Sequence, residues 1–364
     1  MFSILNRHIF KSISLGLFLA VTIFLTLAIL LGFVAQINLV GRGDFTILSA
    51  LFYTMLTIPN IIFDYFPVSA VVGVMIGLGA LAANSELVII QSAGASRLKI
   101  GRITITTLII WLVPMSLIGE YIVPPAKMMA ESYKSSKISK NVGLGLNSGV
   151  WIRDGNVIFN ATPIGNVYDI RGKNISMHDV TVYVLDDKLQ VMKVSKAEKA
   201  THKGDNWELY NIEVTEFVES GVITKHINKQ TWPSRIAPEI LSITHSRPKH
   251  LSIRDILKYK NFHEDKQNIP VKYEIALWSK YSYPLIVITT VLTGLPFLFG
   301  LLRSGGFGAR LLTGVMLGLV LYLLNRMLLN VGEVFYVHPI IVTVLPSVII
   351  SFVALWYLVR HKQA

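Results

Sequence analysis

The chain has 364 residues, of which 52% are hydrophobic and only 15% charged, with a formal net charge of +12, and its mean hydropathy is +0.54. That is too apolar for an ordinary water-soluble enzyme, so the bilayer is its solvent, and the positive charge must be read by position before nucleic acid is invoked. Cysteine is absent, which excludes disulfides, thiolate nucleophiles and cysteine metal sites and leaves any soluble part to be held by its own core.

The first apolar run, from Ile13 to about Val40, follows Arg7, His8 and Lys11. It is far longer than a signal-peptide core of about 7 to 15 residues and predicts an uncleaved membrane helix. The next apolar stretch, Ile47 to Ala83, is too long for one span and is interrupted by Pro59, Asn60, Asp64 and Pro67. Splitting it there predicts an interfacial helix over Ile47–Leu56 and a return span over Pro67–Ala83. The third span is expected over Ile103–Val123, stopped by Pro124 and Pro125, which remove backbone donors.

From Ala126 to about Glu274 no run is long and apolar enough to span, and short alternating segments predict half-buried strands. Val180, Val182 and Val184 make the clearest face, and Asp186, Asp187 and Lys188 predict a hairpin into Leu189–Val194. Asp154 and Gly155 offer the turn between Val150–Arg153 and Asn156–Asn160, and further strands are expected at Trp207–Thr215 and Val222–Ile227. A short helix over Ser252–Tyr259 presents Ile253, Ile256 and Leu257 on one face. Spans four, five and six follow at Ala276–Leu302, Leu311–Val334 and His338–Val359. The expected fold is a polytopic α-helical membrane protein with six transmembrane helices and an inserted all-β domain, divided into residues 1–125, 126–275 and 276–364.

Positive residues near span ends stay in the cytoplasm. One set of loops and termini holds Arg7, Lys11, Arg97, Lys99, Arg102, Arg303, Arg310, Arg360 and Lys362 against the single acid Glu86. The opposite short segments hold Arg42 against Asp44, Asp64, Glu120 and Glu333. Both termini are therefore expected inside and the β domain outside.

Catalytic chemistry has little to stand on. Gly300–Gly308 is glycine-rich but lacks the Gly-Lys-Ser/Thr ending of a phosphate-cradling loop, so the chain is not expected to hydrolyse ATP. His178, His202, His226, His245, His250 and His263 lack the spacing of a metal site, and neither metal nor cofactor is expected. The loop after span two, Asn84 to Gly94, reads as a two-turn helix, with Asn84 or Ser85 as its cap, Glu86 at its positive end and Gly94 as its terminator. It is either a lever for a separate motor protein or an amphipathic connector on lipid headgroups. Gly73 with Gly77, and Gly314 with Gly318, permit close helix packing, inside the chain or between subunits. Arg326 in span five, and Asp64 near the end of span two, are charges at membrane depth that face a cavity, a partner or the interface.

Taken together these residues resemble the lipopolysaccharide export permease family (LptF/LptG), and its LptG branch more than the other through the stretch Trp278 to Arg303. The resemblance spans the chain. It is carried by Phe66-Pro67, by Gly77-Leu78-Gly79 followed by Ser85-Glu86-Leu87 and Ala93-Gly94, and by Ile118-Gly119-Glu120. Leu277-Trp278-Ser279-Lys280 with Pro284-Leu285, and then Gly300 to Arg303, complete it. It implies a half-transporter that pairs with a homologous permease (LptF), binds a dimeric cytoplasmic ATPase (LptB) and contacts a single-span periplasmic adaptor (LptC), carrying lipopolysaccharide and no nucleic acid. The inserted region would be a periplasmic β-jellyroll. Ser85, Glu86, Leu87, Ile90, Ala93 and Gly94 would form the ATPase-coupling helix, and spans one and five the lateral gates. Arg42, Phe66, Pro67 and Arg326 would line the substrate cavity or gate. Family members often place lysines near the outer end of span one, where this sequence has Gly32, Asn38 and Leu39, so phosphate recognition there would fall to Arg42 or to the partner permease. An ABC permease of the lipoprotein-releasing kind would have four spans with its large domain after the first, which six spans and a later domain argue against. A membrane-anchored periplasmic enzyme would need an outside nucleophile, acid/base pair or metal cluster, and none stands out. A sensor or structural module is the alternative that stays open.

Overall fold

The computed structural model describes residues 4–138, 150–154, 156–163, 176–186, 190–203, 206–218, 221–233, 247–262, 270–299 and 307–360. Six of its helices are long and apolar enough to cross a membrane. The chain forms two compact units, one of Met1–Ala35, Thr54–Ala126 and Pro270–Ala364, the other of Gln36–Tyr53 and Lys127–Ile269.

The first unit is helical, and the helix Ile253–Phe262 with most of Ile47–Leu56 and Val123–Ile138 falls in the second. Span one is α1 (Ile4–Ile37), and α2 (Ile47–Leu56) precedes span two, α3 (Ile58–Ala83). A short helix, α4 (Glu86–Ser92), leads into α5 (Arg97–Leu117), a π turn over Ile118–Ile122 and α6 (Val123–Ile138). After the sheet come α7 (Ile253–Phe262), span four α8 (Val271–Phe299) and span five α9 (Phe307–Val334). Span six is α10 (Pro339–Thr343) with α11 (Leu345–Arg360). The end of the expected fourth span and the Gly300 to Arg303 stretch lie outside the described residues.

Small residues make α3 the axle of this unit. A Cβ on Gly16 of α1 would stand 2.3 Å from the Gly73 carbonyl oxygen, and one on Gly77 would stand 2.7 Å from the Ile13 Cα, so the two backbones touch. On another side, Cβ atoms on Gly314 and Gly318 of α9 would meet Met75 and Val68 of α3 at 3.0 and 2.9 Å. Both glycine pairs therefore serve packing within the chain. Ile9, Ile13, Leu17, Phe66, Val71, Met75, Leu78, Val287, Val291 and Leu295 are among the buried side chains of the resulting core.

Two expected stops are not stops. Pro67 lies inside α3, and span two starts at Ile58 rather than at Pro67. A proline in a helix leaves the carbonyl four residues back without its donor. Here that carbonyl belongs to Phe63, and the Tyr283 hydroxyl of α8 donates to it at 3.0 Å, with the two rings stacked 4.1 Å apart. Pro124 and Pro125 likewise sit at the start of α6, which continues span three to Ile138. The π turn prepares for them: the Val123 N–H reaches back to the Ile118 oxygen, and the next bond in that register would need a proline N–H on the Gly119 oxygen. Lys280 Nζ, one turn before Tyr283 on α8, donates to Gly119 O at 3.2 Å and stands 3.5 Å from the Glu120 carboxylate. One helix thus answers both proline breaks, with every backbone acceptor it serves met inside protein, as a bilayer requires.

In the second unit, β1 (Val150–Asp154), β2 (Val157–Pro163), β3 (Ser176–Leu185), β4 (Val191–Lys203), β5 (Asn206–Val218) and β6 (Gly221–Pro233) form one antiparallel sheet in chain order. Crossovers that would turn this meander into a jellyroll are not among the described strands. Phe159, Met177, Val180, Val182, Ala197, Ala200, Trp207, Leu209, Ile212 and Val214 make its buried face. The alternation skips one residue together at Asp179, Glu198 and Asn211. Asp179 (φ 49°) and Asn211 (φ 52°) take left-handed backbone there, and the Asn211 amide donates to Glu198 at 2.8 Å. This shared irregularity keeps apolar residues inward on both sides of it. The expected turn residues Gly155, Asp187 and Lys188 lie outside the described residues, as do His245 and His263.

Candidate functional site

The loop after span two folds as a short helix with two different faces. Leu87 is buried and Ile90 packs against the helical core, whereas Val88, Ile89, Ala93 and Gly94 are exposed. The expected side-chain cap is not made. Ser85 adopts left-handed backbone (φ 58°), which carries its hydroxyl away from the first amides, and its carbonyl accepts from Val88 and Ile89 instead, each at 3.1 Å. Asn84 closes α3 through its own N–H to Ala80 and donates its side-chain amide to Glu86 Oε1 at 3.4 Å. Gly94, at φ +90°, turns the chain out after Ala93.

Glu86 is the polar centre of this helix. An ionised carboxylate only accepts, so His8 Nε2–H of α1 is the donor in the 2.6 Å contact with Glu86 Oε2. The bond from His8, followed by the one from Asn84, holds the carboxyl below the usual range, and Glu86 stays anionic at neutral pH.

A cationic surface lies in the second unit. Arg42 is exposed on the turn after α1, a turn shaped by Gly41 (φ 89°) and Gly43 (φ 58°). That turn is fastened to the end of α6, since Asp44 N–H donates to Lys137 O at 2.8 Å, and a Cβ on Gly43 would stand 2.6 Å from that same oxygen. Arg42 and Lys137 are thereby neighbours along the backbone contact. Lys134 Nζ stands 5.0 Å from the Tyr53 ring centroid of α2 and Lys137 Nζ 5.9 Å from the Tyr133 ring. Tyr53 donates to Glu131 at 2.9 Å, and Lys127 pairs with the same carboxylate at 3.2 Å. Lys127, Lys134 and Lys137 escape a reading that ends span three at Val123. Their recurrence with Glu131 every three or four residues is the helical signal that finds them.

Arg326 is engaged within the chain. Its Nη2 lies 3.5 Å from Asp64 Oδ2 and 3.1 Å from the Tyr322 hydroxyl, while Tyr322 stacks on Tyr65 at 5.8 Å. The two charges singled out in the sequence thus meet as an ion pair between α9 and α3. Phe66 and Pro67 are fully enclosed in the helical core, which gives them a packing role. Among the described residues no three His, Asp or Glu side chains gather where they could hold a metal ion.

Six spans, a two-faced surface helix between two of them and an inserted antiparallel sheet define a multi-pass membrane protein. The chain matches, over residues 7–360, the family described as lipopolysaccharide export system permease LptF/LptG, and it belongs to that family. It is 31% identical to the lipopolysaccharide export system permease protein LptG of Haemophilus influenzae, with 100% of each chain covered. It is 28% identical to the protein of the same name in Escherichia coli K12, with 99% of each covered. Membership places it among inner-membrane permease subunits of a transport system, and both relatives bear the name of the branch toward which Trp278 to Arg303 points.

Proposed function

We propose that this chain is one permease half of an exporter that extracts lipopolysaccharide from the outer leaflet of the inner membrane and passes it by way of its β unit toward the outer membrane. Both termini are cytoplasmic, the sheet is periplasmic, and ATP is hydrolysed by a separate dimeric ATPase (LptB). A homologous permease (LptF) completes the cavity and a single-span adaptor (LptC) receives the lipid. The observation that carries this reading is α4, a partly exposed short helix with a carboxylate at its first residue, set between two spans of a chain that matches the permease family over residues 7–360. A motor subunit gripping α4 pushes directly on α3, the most enclosed of the spans.

Lipid A presents anionic phosphates above its acyl chains, and cations at the outer ends of the spans suit them. Arg42, Lys134 and Lys137 fill that role. Arg326, balanced by Asp64, holds α9 to α3 instead.

The test is purification of the tagged chain in mild detergent from its own membrane, with mass spectrometry of accompanying proteins and lipids. An ATPase, a second permease and lipopolysaccharide are expected together, and a chain that purifies intact but alone defeats the proposal. Glu86→Lys, which reverses the charge on the gripped face, is expected to abolish export while the protein remains folded and inserted. Normal surface lipopolysaccharide in that variant would remove α4 from the mechanism.

A further inference from the structure

We propose that His8 is a positioning residue that ties the coupling helix to span one, so that α4, the lower half of α1 and the adjoining end of α3 move as one body. The proposal rests on the function proposed above and adds the route by which the stroke reaches the gate. Three contacts along one line support it. His8 holds Glu86 at 2.6 Å. One turn along α1, the Ser12 hydroxyl donates to the Gly77 oxygen of α3 at 2.9 Å. A turn further, Gly16 meets Gly73 and Gly77 backbone to backbone, with no room for a Cβ. Ile9, Ile13, Leu17 and Ala20 are buried along the same stripe.

Beyond Ala20 the seam thins, with Val21 and Phe24 still packed against the helical core. Ile23, Leu27, Leu30, Leu31 and Val34 are exposed, so the remainder of α1 is held more lightly than its clamped base. Interiors packed this closely shift as blocks rather than deforming smoothly. A displacement of α4 is therefore delivered to the lightly held half of span one as a change of tilt, without passing through span two alone. The base of the clamp is the only part made by exposed polar side chains among these three contacts, which makes His8 the place where the link can be cut without disturbing the core.

The experiment uses the assembled complex, with its ATPase and second permease, in proteoliposomes containing lipopolysaccharide. Wild type, His8→Ala and His8→Gln are compared for ATP hydrolysis and for lipopolysaccharide extracted per ATP. His8→Ala is expected to keep the ATPase bound and hydrolysing while extraction per ATP falls about two- to fivefold, the size of an exposed charge-assisted hydrogen bond. His8→Gln, whose amide can donate to the same oxygen, restores it. A wild-type ratio in His8→Ala, or a loss that His8→Gln does not restore, overturns the link. A wild-type chain that retains no ATPase defeats the underlying function and the link together.

The chain has no cysteine of its own, so spin labels at Lys11→Cys and Ser92→Cys give a second readout. Their separation is expected to stay constant between nucleotide-free and vanadate-trapped complexes. A shift between those states shows two bodies rather than one and overturns the proposal.

Discussion

Span two and span one are similarly apolar helices with opposite surroundings. The most hydrophobic window of α3 is 83% buried within the chain, whereas those of α1 and α9 are each 11% buried. Hydropathy does not separate them, because it records affinity for a dry environment without saying whether lipid or protein supplies it. Glycine does. Gly73 and Gly77 on α3 admit α1 at its base, and Gly314 and Gly318 seat α9 on Val68, Val71, Val72 and Met75. The enclosed helix is a fixed reference, and the two flanking helices each have one anchored stripe and a wide face for lipid, substrate or a second permease.

The sharpest way to break this contrast is to fill the seam. Gly77→Leu forces a side chain into the α1 backbone, where even a Cβ is 2.6 Å from the Ser12 oxygen. The expected cost is about 3 kcal/mol or more, read as loss of the detergent-solubilised monomer or a sharply lowered melting temperature. Next come the donors on α8. Tyr283→Phe and Lys280→Met leave the Phe63 and Gly119 oxygens without those partners, and each is expected to cost about 1–3 kcal/mol in the same assay. Tyr283→Phe is the cleaner test, since only the hydroxyl is lost.

A smaller effect is expected at the Asp64–Arg326 pair, which is partly open to its surroundings. A double-mutant cycle with Asp64→Asn and Arg326→Gln should return a coupling of about 1 kcal/mol or less. A value near zero would leave α9 held by its packing on α3 and the rest of the core. The smallest effect belongs to the exposed face: Leu27→Ala on α1 should change the stability of the isolated chain by no more than about 0.5 kcal/mol. It should still weaken recovery of the second permease on purification if that face is an interface.

Six spans and an inserted sheet were legible because each is a local pattern: long apolar runs, period-two alternation, and turn residues between them. The helix Ile47–Leu56 falls where expected, but the start of span two and the end of span three lie away from their prolines for one shared reason. Proline breaks a helix only if the freed carbonyl finds no other donor, and the donors here lie 220 and 161 residues away in sequence. No window around Pro67 or Pro124 contains that information. Within the candidate site, Glu86 and its helix were visible as a lone acid among basic loops, but its partner His8 was not, because nothing local marks a histidine 78 positions earlier. Asp64 and Arg326 were each conspicuous as membrane charges, and their pairing became evident only when α3 and α9 were side by side.

The repairs made by α8 also impose an order on biosynthesis. The chain emerges from the ribosome with spans two and three already complete in sequence, yet each carries a carbonyl whose donor has not been made. Tyr283 and Lys280 appear only after the entire sheet has been synthesised. Until then the two proline turns must be hydrated or held by other proteins, and span four acts as the late fastener that lets the earlier helices shed that water and settle into the bilayer.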